Sequence, residues 1–456
     1  MVLLPLSPSP SGLRPALRPP PPSATMLAPE LSSLQPPLLS PSLLSADSAF
    51  SSTADELAGS LFGASLFPWL AMLYWMKHPT VRAPPGVSFG LTFLLAFVFA
   101  SIPAAVAAGL LYGASLADAD WLHGAAESLL AITNCVVVLG FRDALGASRG
   151  GSAASAAAAA KANVYRRAAY ALGGVAGLSA VAVAVGGDAS VHTAWLGGVG
   201  NLPSGLWADE PANALSIPTW AIHTSSLVEW LVAMGLAWRY AEESGQRRWK
   251  GVTWGMLPLH TSGIVACTYH LFYNTPIIAW CVPLQAGMTC VGNTTLALAC
   301  LRLALASGWT WQMGKDEAAA LLATVSDDVA KLLRTSGAPP TPRPTPPNDS
   351  TRGSSADEAT AATPAALRGW EDLGDAWAEN SDAVFLLKLA ALSASLAYLV
   401  KYAPALLPHP VTAAWAELPE EVVSAVALSV IVIPTALNCA KWVQRSREDA
   451  EFVGDF

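Results

Sequence analysis

The sequence predicts an all-α fold, a polytopic helical membrane protein of about nine transmembrane helices. Three observations carry that prediction. Of 456 residues, 53% are hydrophobic and only 13% are charged, a balance that excludes an ordinary soluble enzyme. Apolar runs long enough to cross a bilayer recur along the chain, separated by short polar loops. The loop charges alternate in sign from one run to the next.

The spans come in order as Gly59–Met76, Val87–Tyr112, Trp121–Phe141, Ala168–Gly187, Leu215–Trp238, Val252–Tyr273, Ile277–Leu305, Ala383–Tyr402 and Val422–Ala440. Basic loops carry Lys77 and Arg82, then Arg142, Arg149, Lys161, Arg166 and Arg167, then Arg239, Arg247, Arg248 and Lys250. Acidic ones carry Asp118 and Asp120, then Asp188, Asp209 and Glu210, then Glu417, Glu420 and Glu421. The alternation is unbroken only if Ala168–Gly187 is a true span, and it puts the basic loops and the C-terminus on the stromal side of a plastid membrane.

Between the spans the text changes character. Residues 1–50 are rich in Pro, Ser and Leu, with Glu30 and Asp47 their acids, and read as a disordered plastid transit peptide. A first three-helix membrane domain is expected over 56–145, then an Ala/Gly/Ser low-complexity linker with the fourth span over 146–211. A second three-helix domain covers 212–306. A stromal insert follows over 307–380, helical at Lys315–Leu333 and disordered at Gly337–Thr363. A membrane hairpin (381–443) and a stromal tail (444–456) close the chain. The two triplets also share a weak pattern. Ser65-Leu-Phe-Pro68-Trp69 opens one and Ser216-Ile-Pro218-Thr-Trp220 the other, and Trp121 stands to Asn134 as Trp280 does to Asn293. They are read as parallel repeats related by an axis along the membrane normal.

Two stretches carry a resemblance. Glu56–Arg142, with LFGASLFPWLAMLYWM and DWLHGAAESLLAITNCVVVLGFR, resembles one family of uncharacterised membrane proteins of cyanobacteria and plastids. Ala212–Arg302, with NALSIPTWAIHTSSLVEW, ACTYHLFYN and LQAGMTCVGNTTLALA, resembles a second such family. The resemblance implies a photosynthetic lineage and a plastid membrane, thylakoid in preference to inner envelope. It supplies no activity.

The candidate site consists of polar groups inside these spans. Glu229 lies some thirteen residues into its helix, about 20 Å deep, where a carboxyl group costs at least about 2.5 kcal/mol unless paired. His123, Glu127 and Asn134 share one helix face, as do Gln285, Thr289 and Asn293 on another helix, and His270 shares a face with Asn274. Thr219, His223 and Ser226 follow the same spacing on the helix of Glu229. The three histidines fall at similar depth, where imidazoles could ligate haem or chlorophyll, or relay protons with Glu127 and Glu229. Interhelical hydrogen bonding is the favoured role for each lone His and for the Asn and Gln stripes. No metal centre and no cofactor are assigned. The six cysteines are expected to be buried apolar residues.

No phosphate-binding Gly loop, HExxH, GxSxG or CxxC occurs, so no enzymatic activity is expected. The net charge of -8, without a basic patch, argues against nucleic acid as a partner. The expected partners are the lipid bilayer and subunits of a photosynthetic membrane complex. The expected function is assembly or maintenance of such a complex, with intramembrane polar faces docking partner helices. The alternative is a transporter or a pigment- or haem-handling protein with a polar site between the two triplets.

Overall fold

The computed structural model describes residues 41–186, 214–334, 369–402 and 418–449. The chain divides into a unit Met1–Ser48 and a unit Ala49–Phe456, and the packing described below is that of the second. Most of the transit-peptide reading and the disordered Gly337–Thr363 lie outside the described residues.

The fold is all-α and polytopic, and no strand occurs among the described residues. The helices are α1 (Pro41–Lys77), α2 (Pro85–Tyr112), α3 (Asp120–Gly186), α4 (Ile217–Glu243), α5 (Trp249–Leu271) and α6 (Cys281–Ala306). After them come α7 (Trp311–Arg334), the short α8 (Leu373–Ala376), α9 (Asp382–Tyr402) and α10 (Glu420–Glu448). Six of these are long and apolar enough to cross a membrane: α1 from Thr53, α2, α3, α6 with its preceding turn, α9 and α10. The third expected span, and the fourth as far as Gly186, fall within α3.

Two differences from the sequence reading have physical causes. Residues 146–162, read as a linker, are helical, because their Ala-rich composition has the highest helix propensity available. The direction changes at Gly151 alone, whose φ of 71° and ψ of -156° only glycine adopts readily. Helix α1 begins at Pro41, inside the segment read as leader.

The fifth and sixth expected spans, α4 and α5, have the length to cross but are more polar than the other spans. For α4 the reason is position. Helices α3, α5, α9 and the 370–376 segment all pack on it, and Val232, Ala233, Met234, Ala237 and Ala241 are fully enclosed. A helix sheathed by protein has no need of an apolar surface on every side. By contrast α2 turns Phe99, Ile102, Val106 and Leu110 outward, the last 82% exposed, as a lipid-facing helix should.

Helices in hydrocarbon associate through close packing, which favours small residues at crossings. The α2–α3 crossing is made by Gly86 against Gly140: a Cβ on Gly86 would stand 2.7 Å from the Gly140 Cα. This contact sets how closely α2 lies along α3.

Most of the ion pairs gather at one end. Arg142 of α3 donates to the carbonyls of Trp377 (3.1 Å) and Asn380 (2.8 Å) and lies over the Phe385 ring at 4.0 Å. Glu371, fully buried at its side chain, accepts from Lys441 at 2.6 Å and Arg445 at 3.0 Å, and Arg445 also meets Asp372 at 2.6 Å. Arg149 pairs with Glu243 and Lys250 with Asp449. Acids of the 369–382 segment and of the helix ends thus neutralise the basic ends of α3, α4, α5 and α10. On α7, Glu317 accepts from Tyr74 at 2.5 Å and meets the His78 ring at 3.0 Å, contacts that hold its carboxyl below the usual range.

Replacing Gly140 by Val should overpack the α2–α3 crossing and cost about 1–3 kcal/mol. Thermal unfolding in detergent, followed by thiol labelling of buried Cys300, should show a lower midpoint. Gly59→Ala, at a site with open space around it, should leave the midpoint unchanged or raise it.

Candidate functional site

The opposite end of the bundle is tied by hydrogen bonds between helix starts. Ser216 caps α4, its Oγ accepting from the Thr219 backbone N–H at 3.4 Å. The Ser216 N–H in turn donates to the Asp120 carboxylate at 2.8 Å, and Thr219 Oγ1 donates to the Asp120 carbonyl at 3.3 Å. A Cβ on Gly124 would stand 2.7 Å from Thr219 Oγ1, so the two helices meet at minimal separation. His123 neighbours Gly124 on α3, and His223 follows Thr219 by one turn on α4. The interlock therefore brings their rings into contact, tilted 35° to one another.

His270 arrives from the far end of α5. That helix stops with Tyr273 and Asn274 at φ 54° and 55°, a left-handed pair that is uncommon for non-glycine residues and strained for Tyr. The turn aims the Asn274 amide at two partners. Its Nδ2 donates to Asp118 Oδ1 at 2.8 Å and to the Ala117 carbonyl at 3.2 Å, while its Oδ1 lies 2.9 Å from His270 Nδ1. Ser115 Oγ steadies the other Asp118 oxygen at 2.7 Å. Because the amide nitrogen is committed to two acceptors, Oδ1 must be the acceptor toward the ring. His270 therefore carries its proton on Nδ1, and its Nε2 keeps a lone pair.

The result is a near-equilateral triangle of imidazoles. Ring centroids are 4.9 Å apart for His123–His223, 4.8 Å for His123–His270 and 4.9 Å for His223–His270. One nitrogen from each ring lies within 4.8 Å of the others, and the residues are 8%, 5% and 5% exposed. His123 Nε2 and His223 Nε2 are 2.8 Å apart, a hydrogen bond that requires at least one of the two to be unprotonated. The triangle lies close to the helix ends: His123 is three residues past Asp120 and His223 six past Ile217, about 5 and 9 Å along their axes. Buried Asp120, 1% exposed, stands beside it with Oδ2 unpartnered among the described residues.

The other polar residues that helical spacing singles out separate into groups. Glu127, half-buried, is one turn along α3 from His123. Further along the same α3–α4 seam, Cys135 Sγ donates to Glu229 Oε1 at 3.1 Å and Asn134 Nδ2 donates to the Ser226 carbonyl at 3.4 Å. Glu229 Oε2 and Asn134 Oδ1 are buried without a protein partner among the described residues. On α6 the Thr289 and Asn293 side chains bond across to other helices, while Gln285 takes part through its backbone carbonyl. Ser262 Oγ donates to the Gln285 carbonyl at 3.1 Å and bonds Thr289 Oγ1 at 2.8 Å, and Asn293 Nδ2 donates to the Ser65 carbonyl at 3.0 Å. These residues do not join the histidines. His260 stands apart as well, its Nδ1 3.4 Å from Asn438 of α10.

Spacing alone misses Asp118 and Asp120, which count as loop charges in the sequence, and Cys135, which reads there as an apolar filler. The available signal is positional, since both acids lie within five residues of His123.

Comparison with known proteins places this geometry. Residues 58–146 match a family model described as "Protein of unknown function (DUF3593)", and residues 214–302 one described as "Protein of unknown function (DUF2499)". The triangle therefore takes His123 from the first segment and His223 and His270 from the second. The chain is 51% identical over 87 residues to a "Ycf49-like protein" of Synechocystis sp., which is 19% of this chain and 84% of that protein. It is 31% identical over 84 residues to "Uncharacterized protein ycf49" of Cyanophora paradoxa, 18% of this chain and 82% of that one. No solved structure matches the chain significantly.

Asn274→Leu should leave Asp118 and the His270 Nδ1–H without their shared partner. An unsatisfied buried polar group costs about 1–3 kcal/mol. The thiol-labelling midpoint should fall accordingly, whereas Gln285→Leu, whose side chain is only half-buried, should shift it less.

Proposed function

This chain belongs to the Ycf49-like family, and on that premise we propose that it is a non-catalytic plastid membrane protein that serves the assembly or maintenance of a photosynthetic complex through its buried histidine cluster. The single observation that carries this reading is the convergence of His123, His223 and His270, from both matched segments, on one protected point. A cluster assembled across two segments gives them a reason to work as one molecule.

The polar residues favour an internal site over docking faces for partner helices. His123, His223, Glu229, His270, Asn274, Asn134 and Asn293 are all buried, and their hydrogen-bond partners lie on helices and turns of the same chain. Partner subunits of a photosynthetic complex would then be met by the lipid-facing apolar helices and by the stromal segment. Haem between these rings is disfavoured: centroids 4.8–4.9 Å apart leave no room for a porphyrin. A thylakoid location is the preferred reading, with the transit peptide in residues 1–50.

Affinity purification of the C-terminally tagged protein in mild detergent should recover subunits of one photosynthetic membrane complex with a bait free of pigment. Recovery of no such subunits, or a bait carrying stoichiometric haem or chlorophyll, would overturn the reading. Residues 1–50 fused to a fluorescent protein should direct it into plastids.

A further inference from the structure

We propose that the Nε2 atoms of His123, His223 and His270 bind one transition-metal ion of the zinc or copper class, with a fourth coordination position open. The inference deepens the reading of the cluster as the protein's working site and rests on it.

Geometry is the first ground. Imidazole nitrogens bind zinc at about 2.0–2.1 Å, and tetrahedral angles then put ligand nitrogens about 3.4 Å and ring centroids about 5 Å apart. The three centroid separations of 4.8–4.9 Å meet that figure on every side of the triangle. His123 Nε2 and His223 Nε2, at 2.8 Å, have to part by about 0.6 Å, and the His270 nitrogen, within 4.8 Å of both, has to turn in toward them.

The second ground is orientation from outside the triangle. Metal-bound histidines almost always donate the other ring N–H to a carboxylate, carbonyl or water, which fixes the tautomer. The line Asp118–Asn274–His270 does this, and a left-handed Asn274 is held in place to do it. Were the histidines only glue between helices, the His123–His223 hydrogen bond would be complete without a third ring nitrogen gathered beside it.

Charge is the third. Three neutral imidazoles leave a cation uncompensated in a low-dielectric site, which is costly. Asp118 lies one amide away, and Asp120, buried with a free Oδ2 among the described residues, stands three residues before His123. An all-imidazole donor set suits zinc and copper; calcium and magnesium require oxygen ligands. The cluster's place near the helix ends, on the side where the acidic loops lie, gives the ion a short route in.

The test is metal content of the purified full-length protein after loading with Zn²⁺ or, under reducing conditions, Cu⁺, followed by desalting. Roughly one equivalent of metal is expected, with X-ray absorption showing three imidazole nitrogens at about 2.0–2.1 Å. His223→Ala should lose the metal and His260→Ala, which changes a buried histidine outside the cluster, should keep it. Asn274→Leu should weaken binding about 10–100-fold. Should His223→Ala fail to fold, the wild-type protein decides alone: chelator should lower its unfolding midpoint and metal restore it. A folded wild-type protein that takes up neither ion, or one whose metal is bound by sulfur or survives His223→Ala, overturns the proposal. Complex subunits recovered with a metal-free bait would refute this inference and leave the assembly reading standing. A metal-loaded bait without such partners would do the reverse.

Discussion

The hydrogen-bonded line from Asp118 through Asn274 to His270 joins the α2–α3 turn to the end of α5, and the rest of the site depends on it. Without it, α5 would end as an ordinary helix and its last imidazole would have no fixed direction. With it, the Asp118 carboxylate reaches a ring inside the bundle through one amide, and every polar side-chain atom of Asp118 and Asn274 has a partner. The Asp120–Ser216–Thr219 interlock does the corresponding work for α3 and α4. Three helix ends are thereby held in register by hydrogen bonds that hydrocarbon makes costly to break.

The bundle divides its polar chemistry between its two ends. Where the basic residues gather, ion pairs are dense: Glu371 is buried between Lys441 and Arg445, and Arg142 is wrapped by carbonyls and the Phe385 ring. The ion pairs of that end hold helices together. The other end keeps Asp120 and three imidazoles that are only partly committed to each other. The histidine triangle thus belongs to the end where Asp118 and Asp120 lie.

Much of the architecture is legible in the sequence because hydrocarbon imposes strict rules. Apolar runs of spanning length form helices, and the alternation of loop charges matches the sorting of Arg142, Lys250 and Arg445 to one end. The stretch 146–162 reads as a linker because its composition is of low complexity, whereas an Ala run is also a strong helix former. For the site, helical spacing places His123, His223 and His270 at similar depth. It does not show that they meet, because their rotation toward one another is set by contacts such as Gly124 on Thr219 and by the left-handed turn at Asn274. Spacing also ranks Gln285 and Asn293 with them, although neither joins the triangle and Asn293 bonds the Ser65 carbonyl instead.

The same physics separates a binding centre from polar glue. Glue between helices uses one donor and one acceptor and is complete when they pair, as Asn293 and the Ser65 carbonyl are. The histidine triangle brings three ring nitrogens together where two would complete a hydrogen bond, and fixes the tautomer of one from outside. That surplus is costly in hydrocarbon unless something is shared by all three nitrogens. A proton can be held by only two of them at once. A metal ion accepts lone pairs from all three, and the acids Asp118 and Asp120 are placed to offset its charge. The expense of building the triangle is thus best explained by an occupant that uses every corner of it.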